Sequence, residues 1–236
     1  MTDNSGTIGC KFRGSGQTCI SANRIYVHSS VYAEFACRLA EKVAAFKIGD
    51  GLLSDTYVSP SPRLHVYTAL IFCYPRTHGP LIHERAVSKV EKHVEDAISK
   101  GAQILVGGKR RDTPGSFYEP TVLSDVPAGS STFFGQEETF GPVAALVKFE
   151  TEKEVIELAN DTDFGLAGYF YSRDIGRIWR VAEALEVGMV GINTGIVAGA
   201  TLPFGGVKES GLGREGGHGI NEYMEEKLLA FGGLDK

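Results

Sequence analysis

An α/β fold with a largely parallel sheet and flanking helices follows from three features of the sequence. Short apolar runs such as Ile25-Tyr26-Val27 and Val143 to Phe149 alternate with longer stretches of helical periodicity. Each helical stretch ends at a glycine or begins at a capping residue. Thirty glycines gather, without a period, in the turns between them. Alternating strands and helices pack most simply as a parallel sheet covered on both faces.

The elements read in order as follows. Ser21 to His28 is a strand. Val31 to Lys47 is an amphipathic helix, with Phe35, Leu39, Val43 and Phe46 on one face and a glycine stop at Ile48-Gly49-Asp50-Gly51. Thr77-His78-Gly79-Pro80 is a turn. Glu84 to Lys100 is a second helix, lined by Val87, Val90, Val94, Ala97 and Ile98 and closed by Gly101. Gln103 to Val106 is a strand, and Phe117 to Leu123 is extended. Val143 to Phe149 is a strand. Thr151 caps the next helix, with Glu154 completing a capping box. Leu166 to Tyr171 is a strand, Ile175 to Leu185 a helix and Gly188 to Asn193 a strand. A glycine-rich stretch covers 205–219, and 222–231 closes the chain as an extended or partly helical arm. No internal repeat is visible.

Composition narrows the function. The chain has 236 residues, 42% hydrophobic and 22% charged, with a net charge of −5 and no long run of either sign. That suits a globular domain with a sizeable core, not a nucleic-acid or membrane surface. The longest uncharged apolar stretch, Val66 to Tyr74, is too short to span a bilayer. No targeting pattern is visible at Met1-Thr2-Asp3-Asn4-Ser5. Cys10, Cys19, Cys37 and Cys73 form neither a zinc pattern nor a disulfide framework, so a reducing compartment and no metal are expected.

Four stretches can carry chemistry. Lys11-Phe12-Arg13-Gly14-Ser15-Gly16-Gln17-Thr18-Cys19 ends a glycine-punctuated turn on a thiol, with a guanidinium six residues before it. A nearby cation favours the nucleophilic thiolate; a buried structural cysteine is the competing reading. Gln136-Glu137-Glu138-Thr139-Phe140-Gly141-Pro142 can present a carboxylate to ribose hydroxyls and a ring to a flat cofactor, or can be an acidic loop entering a strand. Asn193, ending Gly191-Ile192-Asn193, can bond a substrate or cap a strand. Pro203-Phe204-Gly205-Gly206-Val207-Lys208-Glu209-Ser210-Gly211-Leu212-Gly213-Arg214-Glu215 is glycine-dense without the spacing of a dinucleotide fingerprint.

Taken together, in this order, Gly-Gln-Thr-Cys, Glu-Thr-Phe-Gly-Pro and Pro-Phe-Gly-Gly-Val-Lys-Glu-Ser-Gly-Leu-Gly-Arg-Glu resemble the aldehyde dehydrogenase superfamily. Lys11-Phe12-Arg13, Gly165 to Ser172 and Arg180 to Glu186 with Gly191 to Gly195 resemble its succinate-semialdehyde dehydrogenases. The resemblance runs from about Lys11 to Leu234. It implies a catalytic domain over 11–221, an unmatched N-terminus over 1–10 and a C-terminal oligomerisation strand within 222–236. It implies that Cys19 attacks the aldehyde, that hydride leaves to NAD or NADP, and that water releases the acid. Glu138 and Phe140 would face the cofactor. Arg13 would fork onto the far carboxylate of succinate semialdehyde, with Asn193 and Phe204 lining the substrate side.

The resemblance also marks departures. The dinucleotide-binding domain, the general base and a second substrate arginine of the family have no counterpart, so the chain alone is expected to be inactive. The alternative is a non-catalytic piece that docks on full-length subunits, or on its own copies, through the C-terminal arm. A cytoplasmic location is implied, with a mitochondrial one open to a full-length relative. Ser21 replaces the second cysteine of redox-switched members, and Ala198 a substrate-binding serine. The segment 57–76 is an insertion, read as a retained intron.

Overall fold

The structure is a computed structural model that describes residues 4–50, 77–217 and 219–233. The insertion expected at 57–76 lies outside them, as does Cys73. Among the described residues, four strands form the central sheet: β1 (Ile25–His28), β4 (Gln103–Val106), β5 (Thr121–Ser124) and β6 (Val143–Phe149). Their order is β1-β6-β5-β4. β6 runs parallel to both β1 and β5, and β4 adds an antiparallel edge. The expected α/β class with a largely parallel sheet is what the chain forms.

Alternation along β6 explains the layers. Ala144 and Leu146 face the side covered by α2 (Ser29–Ala44), which contributes Tyr32, Ala36, Leu39 and Val43. Val143, Ala145 and Val147 face the side covered by α3 (Glu84–Ser99), which contributes Val87, Val90, Val94 and Ala97. A strand buried on both faces has to be apolar at every position, and the first five residues of β6 are all buried. Each valine or leucine among them contributes about 1.5–3 kcal/mol when removed from water.

α1 (Ser5–Lys11) joins the α2 layer through Ile8 and then Phe12. Two glycines in seven residues are poor helix formers. Burial of Thr7, Ile8, Cys10 and Lys11 overrides that preference. The short helix α4 (Phe133–Gln136) joins the α3 layer through Phe134.

β2 (Lys47–Ile48) and β3 (Thr77–His78) pair in parallel, so the ends of the connection between them are held side by side. A second lobe holds α5 (Glu152–Asn160), the parallel pair β8 (Ala167–Phe170) and β9 (Met189–Ile192), and α6 (Ile175–Ala184). The expected Thr151–Glu154 capping box closes α5. Four two-residue strands complete the lobe: β7 (Phe164–Gly165), β10 (Pro203–Phe204), β11 (Val207–Lys208) and β12 (Glu215–Gly216).

One expectation changes. The strand expected from Ser21 begins only at Ile25, because Asn23 and Arg24 bond to chain more than 100 residues away instead of joining the ladder. The C-terminal arm makes a 3-10 turn at Gly219–Tyr223, and residues 224–233 form no strand in this single chain. A strand needs a partner edge. Leu228, Leu229 and Phe231 are left exposed there. No helix among the described residues is long and apolar enough to cross a membrane.

Candidate active site

β1 and β6 are parallel neighbours, with Ile25 opposite Leu146. The segments that enter them therefore meet at one edge of the sheet. One carries Cys19 and the other carries Glu138 and Phe140. This adjacency is what the sequence alone could not show.

The Cys19 segment leaves α1 through a 3-10 turn at Arg13–Gly16 in which Gly14, Ser15 and Gly16 all have positive φ. For Ser15 that is a left-handed conformation an L side chain seldom adopts. It is fixed from outside: Ser15 Oγ donates to the carbonyl of Gly79 at 3.0 Å. Gln17 Nε2 donates to the carbonyl of Pro80 at 3.3 Å, and Gln17 Oε1 accepts from the Ile82 N–H at 2.9 Å. Beyond the thiol, Tyr169 on β8 donates its hydroxyl to the Ile20 carbonyl at 3.0 Å. Cys19 itself is exposed.

The facing segment is strained in the same way. Phe140 has φ +49° and an exposed ring, and Glu138 beside it is exposed. Gly141 follows, and a Cβ on Gly16 would fall 2.1 Å from the Gly141 carbonyl oxygen. The two segments are thus in backbone contact three residues before Cys19.

Tyr169 marks where the charged and nucleophilic groups converge. Burial pushes its hydroxyl up, and Cys10, Arg13, Tyr171 and Cys19 all act on it electrostatically. Arg13 is exposed at the start of the 3-10 turn that leads to the thiol. Cys10 makes the contrast with Cys19. It is buried, donates weakly to the Thr7 carbonyl at 3.5 Å, and its thiol is pushed up to about 11 chiefly by burial. The sequence offers nucleophile and buried structural thiol as two readings of Cys19; of the two thiols here, Cys10 is the buried one and Cys19 is exposed.

Residues 4–229 match the aldehyde dehydrogenase family. The chain belongs to that family. The family match begins at Asn4, and so takes in most of the first ten residues, which sequence reading had left unmatched. The succinate-semialdehyde dehydrogenase [NADP(+)] 1 of Schizosaccharomyces pombe is 52% identical over 96% of the chain and 42% of its own length. The 3-sulfolactaldehyde dehydrogenase of Pseudomonas putida is 49% identical over 98% of the chain and 43% of its own length. Among solved structures, the succinate-semialdehyde dehydrogenase of Burkholderia pseudomallei superposes with a TM-score of 0.83 at 50% identity, covering 94% of the chain and 42% of that protein. The chain therefore spans less than half the length of these aldehyde dehydrogenases.

The remaining two expected residues sit in the second lobe. Asn193, at φ +55°, accepts from the Ser172 N–H at 2.9 Å and donates to the Ser172 carbonyl at 2.8 Å. That is the strand-capping role weighed from the sequence. Its amide is engaged by backbone, and it turns the chain so that Gly195 packs on the backbone of Gly6 and Cys10 in α1. Phe204 is half-buried in β10, opposite Glu215 of β12. Three residues escaped the sequence reading: Asn23, His93 and Tyr169. Their partners are distant in the chain, and the only signal for Tyr169 was the Gly165–Ser172 motif around it.

A nicotinamide cofactor fits the residues present on its reactive side. An exposed carboxylate and an exposed ring, two residues apart, lie on the segment whose Gly141 meets Gly16 of the Cys19 segment. Glu138 would hold ribose hydroxyls and Phe140 would lie near the ring. Among the described residues, no group of three His, Cys, Asp or Glu side chains could hold a metal ion.

Lys11 lies behind this site. It is fully buried, and burial holds its ammonium down to about 8 from an ordinary 10.5, while Cys10 and Glu138 pull it back up. Below about pH 8 both folded and unfolded chains carry the proton, and the buried charge opposes folding. Between about 8 and 10.5 the unfolded chain binds the proton that the folded chain has lost, so this group makes stability rise with pH. Cys10, raised to about 11 from 9.0, works in the opposite sense above pH 9. The difference between wild type and Lys11→Met isolates the lysine. Lys11→Met is expected to be more stable by about 1–3 kcal/mol at pH 7, with the advantage shrinking toward pH 10. Urea unfolding at several pH values measures it, and an advantage that grows with pH would refute the assignment.

Proposed function

We propose that this chain is the nucleophile-bearing part of an NAD- or NADP-dependent aldehyde dehydrogenase acting on aldehydes with an anionic far end. Succinate semialdehyde, oxidised to succinate in the catabolism of 4-aminobutyrate, is the first candidate. The observation that carries the proposal is the backbone contact between the Cys19 segment and the Glu138–Phe140 segment. The segment that carries an exposed thiol thus touches the segment that carries an exposed carboxylate and ring.

The Cys19 thiolate attacks the aldehyde carbonyl carbon. The thiol proton has passed to solvent on ionisation; a sulfur–carbon bond forms, the carbonyl π pair moves to oxygen, and the resulting oxyanion takes a proton back from solvent to give a thiohemiacetal. A bound nicotinamide would supply the hydride acceptor. The exposed guanidinium of Arg13 receives the far anion in a bidentate fork, and Phe204 lines the aldehyde path. The relatives support the substrate class. Succinate semialdehyde ends in a carboxylate and 3-sulfolactaldehyde in a sulfonate, and their dehydrogenases are nearly equally similar to this chain. An anionic end is thus the shared requirement.

Turnover of the purified chain with succinate semialdehyde and either dinucleotide tests the reading. The chain spans 42–43% of the relatives named above, and the general base and most of the dinucleotide site belong to a part of the family it does not match. Its rate is expected to fall below a full-length relative's by at least about 10²–10⁴, the contribution of a positioned general base. A family-like rate would overturn that expectation. The exposed Leu228, Leu229 and Phe231 favour a second reading, docking on full-length subunits or on copies of itself. In the same preparation, co-purification with a full-length homologue, lost when 222–231 is deleted, would support it.

A further inference from the structure

We infer that Asn23 is a positioning residue that fixes the Glu138–Phe140 segment relative to Cys19. Its side chain makes three hydrogen bonds, each to backbone of the facing segment. Nδ2 donates to the carbonyls of Phe134 at 2.9 Å and Glu137 at 2.8 Å, and Oδ1 accepts from the Thr139 N–H at 3.0 Å. Only one orientation of the amide satisfies two acceptors and a donor in this way. Asn23 is four residues beyond Cys19 on the approach to β1, so the nucleophile segment itself supplies the clamp.

A second group closes the clamp from α3. His93 is buried between the rings of Phe133 and Phe134. Its Nδ1 lies 3.1 Å from Thr139 Oγ1 and its Nε2 3.6 Å from Glu137 Oε2. Gly141 is then fixed by its contacts with Gly16 and Val90. The backbone is therefore anchored at 137, 139 and 141. Glu138 and Phe140 lie between these anchors with their side chains exposed, and Phe140 is turned through a left-handed φ of +49°. A flexible acidic loop would present nothing. Here the two presented residues are the carboxylate and ring that the proposed function assigns to the cofactor, and the inference rests on that assignment for its catalytic meaning.

The test uses the full chain and two variants, Asn23→Ala and Asn23→Asp. The first readout is hydrogen-exchange protection of the Glu137 and Thr139 amides, with Leu123 and Ala145 of the central sheet as internal references. Asn23→Ala is expected to lower protection at least tenfold at pH 7 at 139, whose N–H loses its acceptor, to lower it at 137 as the turn that carries its bond to the Phe133 carbonyl loosens, and to leave the sheet amides within about twofold. Asn23→Asp sets a carboxylate against two carbonyl oxygens. The Phe134 and Glu137 carbonyls lose their donor at pH 7 and regain one O–H as the pH falls, so protection of the Glu137 N–H, which donates to the Phe133 carbonyl of the same turn, should fall and recover with the order of that turn. A side chain that merely fills space gives no such recovery. Sheet amides that fall together with the loop, or an Asp variant with a flat pH profile, would overturn the inference. If Asn23→Ala does not fold, the Asp profile alone decides.

The second readout is the rate of Cys19 alkylation with and without millimolar NADP+. Protection by the dinucleotide in wild type, lost in Asn23→Ala, is the expected result. If the exchange pattern holds but the dinucleotide never protects wild type, the clamp stands and the cofactor assignment of Glu138 and Phe140 fails.

Discussion

Iodoacetamide added to the native chain is expected to modify Cys19 and leave Cys10 intact, although the two thiols are nine residues apart. Alkylation requires the thiolate and room for the reagent. With its thiol pushed up to about 11, only about one Cys10 in a thousand is ionised at pH 8. Burial in the α2 layer adds the need to open the fold first. Cys19 and Cys37 are exposed, so Cys37 serves as the reference for an ordinary surface thiol. Peptide mapping should give a labelling ratio of Cys19 to Cys10 above about 100, collapsing toward unity in denaturant. Succinate semialdehyde should slow labelling at Cys19 and not at Cys37, since the proposed function has only Cys19 form a thiohemiacetal, with Arg13 holding the far carboxylate. Equal slowing at both thiols, or labelling of native Cys10 as fast as Cys19, would remove the basis for calling Cys19 the nucleophile.

The contrast between these cysteines shows what could be read before the structure was in hand. Motif order was enough to single out Cys19, Glu138 and Phe140, and helical periodicity placed α2 and α3 within a few residues of their bounds. Those signals are local. A stripe of Val87, Val90 and Val94 is a property of one segment, as is a threonine with a glutamate three residues on. The burial of Cys10 is not local, because α1 is buried by residues of α2 and β6 far along the chain. Nothing in Ser5-Gly6-Thr7-Ile8-Gly9-Cys10-Lys11 announces a helix.

The same distinction separates the site residues. Asn193 was left between substrate binding and capping, and a hydrogen-bonded pair with the backbone of Ser172, 21 residues away, favours the cap. Asn23 reaches across 111–116 residues and His93 across 46. Such partners are set by which strands lie side by side, and the order β1-β6-β5-β4 is a fact of topology. The positive φ at Phe140 is likewise imposed from outside, since an aromatic residue carries no preference for it. Strain of this kind gathers where surrounding structure can hold it, which is why it marks the site in the structure and is silent in the sequence.

Gly16→Ala is expected to destabilise the chain by about 3 kcal/mol or more, and a graded series of glycine substitutions shows why. At Gly49 an added Cβ meets nothing within 4 Å, so Gly49→Ala should be nearly neutral. At Gly14, φ is +60° and the nearest atom is Thr18 Oγ1 at 3.4 Å. Gly14→Ala therefore isolates the left-handed backbone, a cost of about 1–2 kcal/mol. At Gly16, φ is +72° and the Cβ would also sit 2.1 Å from the Gly141 oxygen and 2.6 Å from its carbon. One backbone has to move. Gly141 cannot retreat freely, because its own Cα faces the fully buried Val90. The Pro142 carbonyl next to it accepts from the Thr121 N–H at 2.8 Å, which ties the segment to β5. The collision therefore spreads into the central sheet or displaces the Cys19 turn. Thermal unfolding should show Gly49→Ala unchanged, Gly14→Ala lower by a few degrees and Gly16→Ala lower by about 6–12 °C. Displacement of the turn predicts one effect more: Gly16→Ala should also lose the slowing of Cys19 alkylation by succinate semialdehyde, while Gly14→Ala keeps part of it. A Gly16→Ala chain as stable as Gly14→Ala would mean that the two segments do not touch, and the active-site geometry argued from their contact would fall with it.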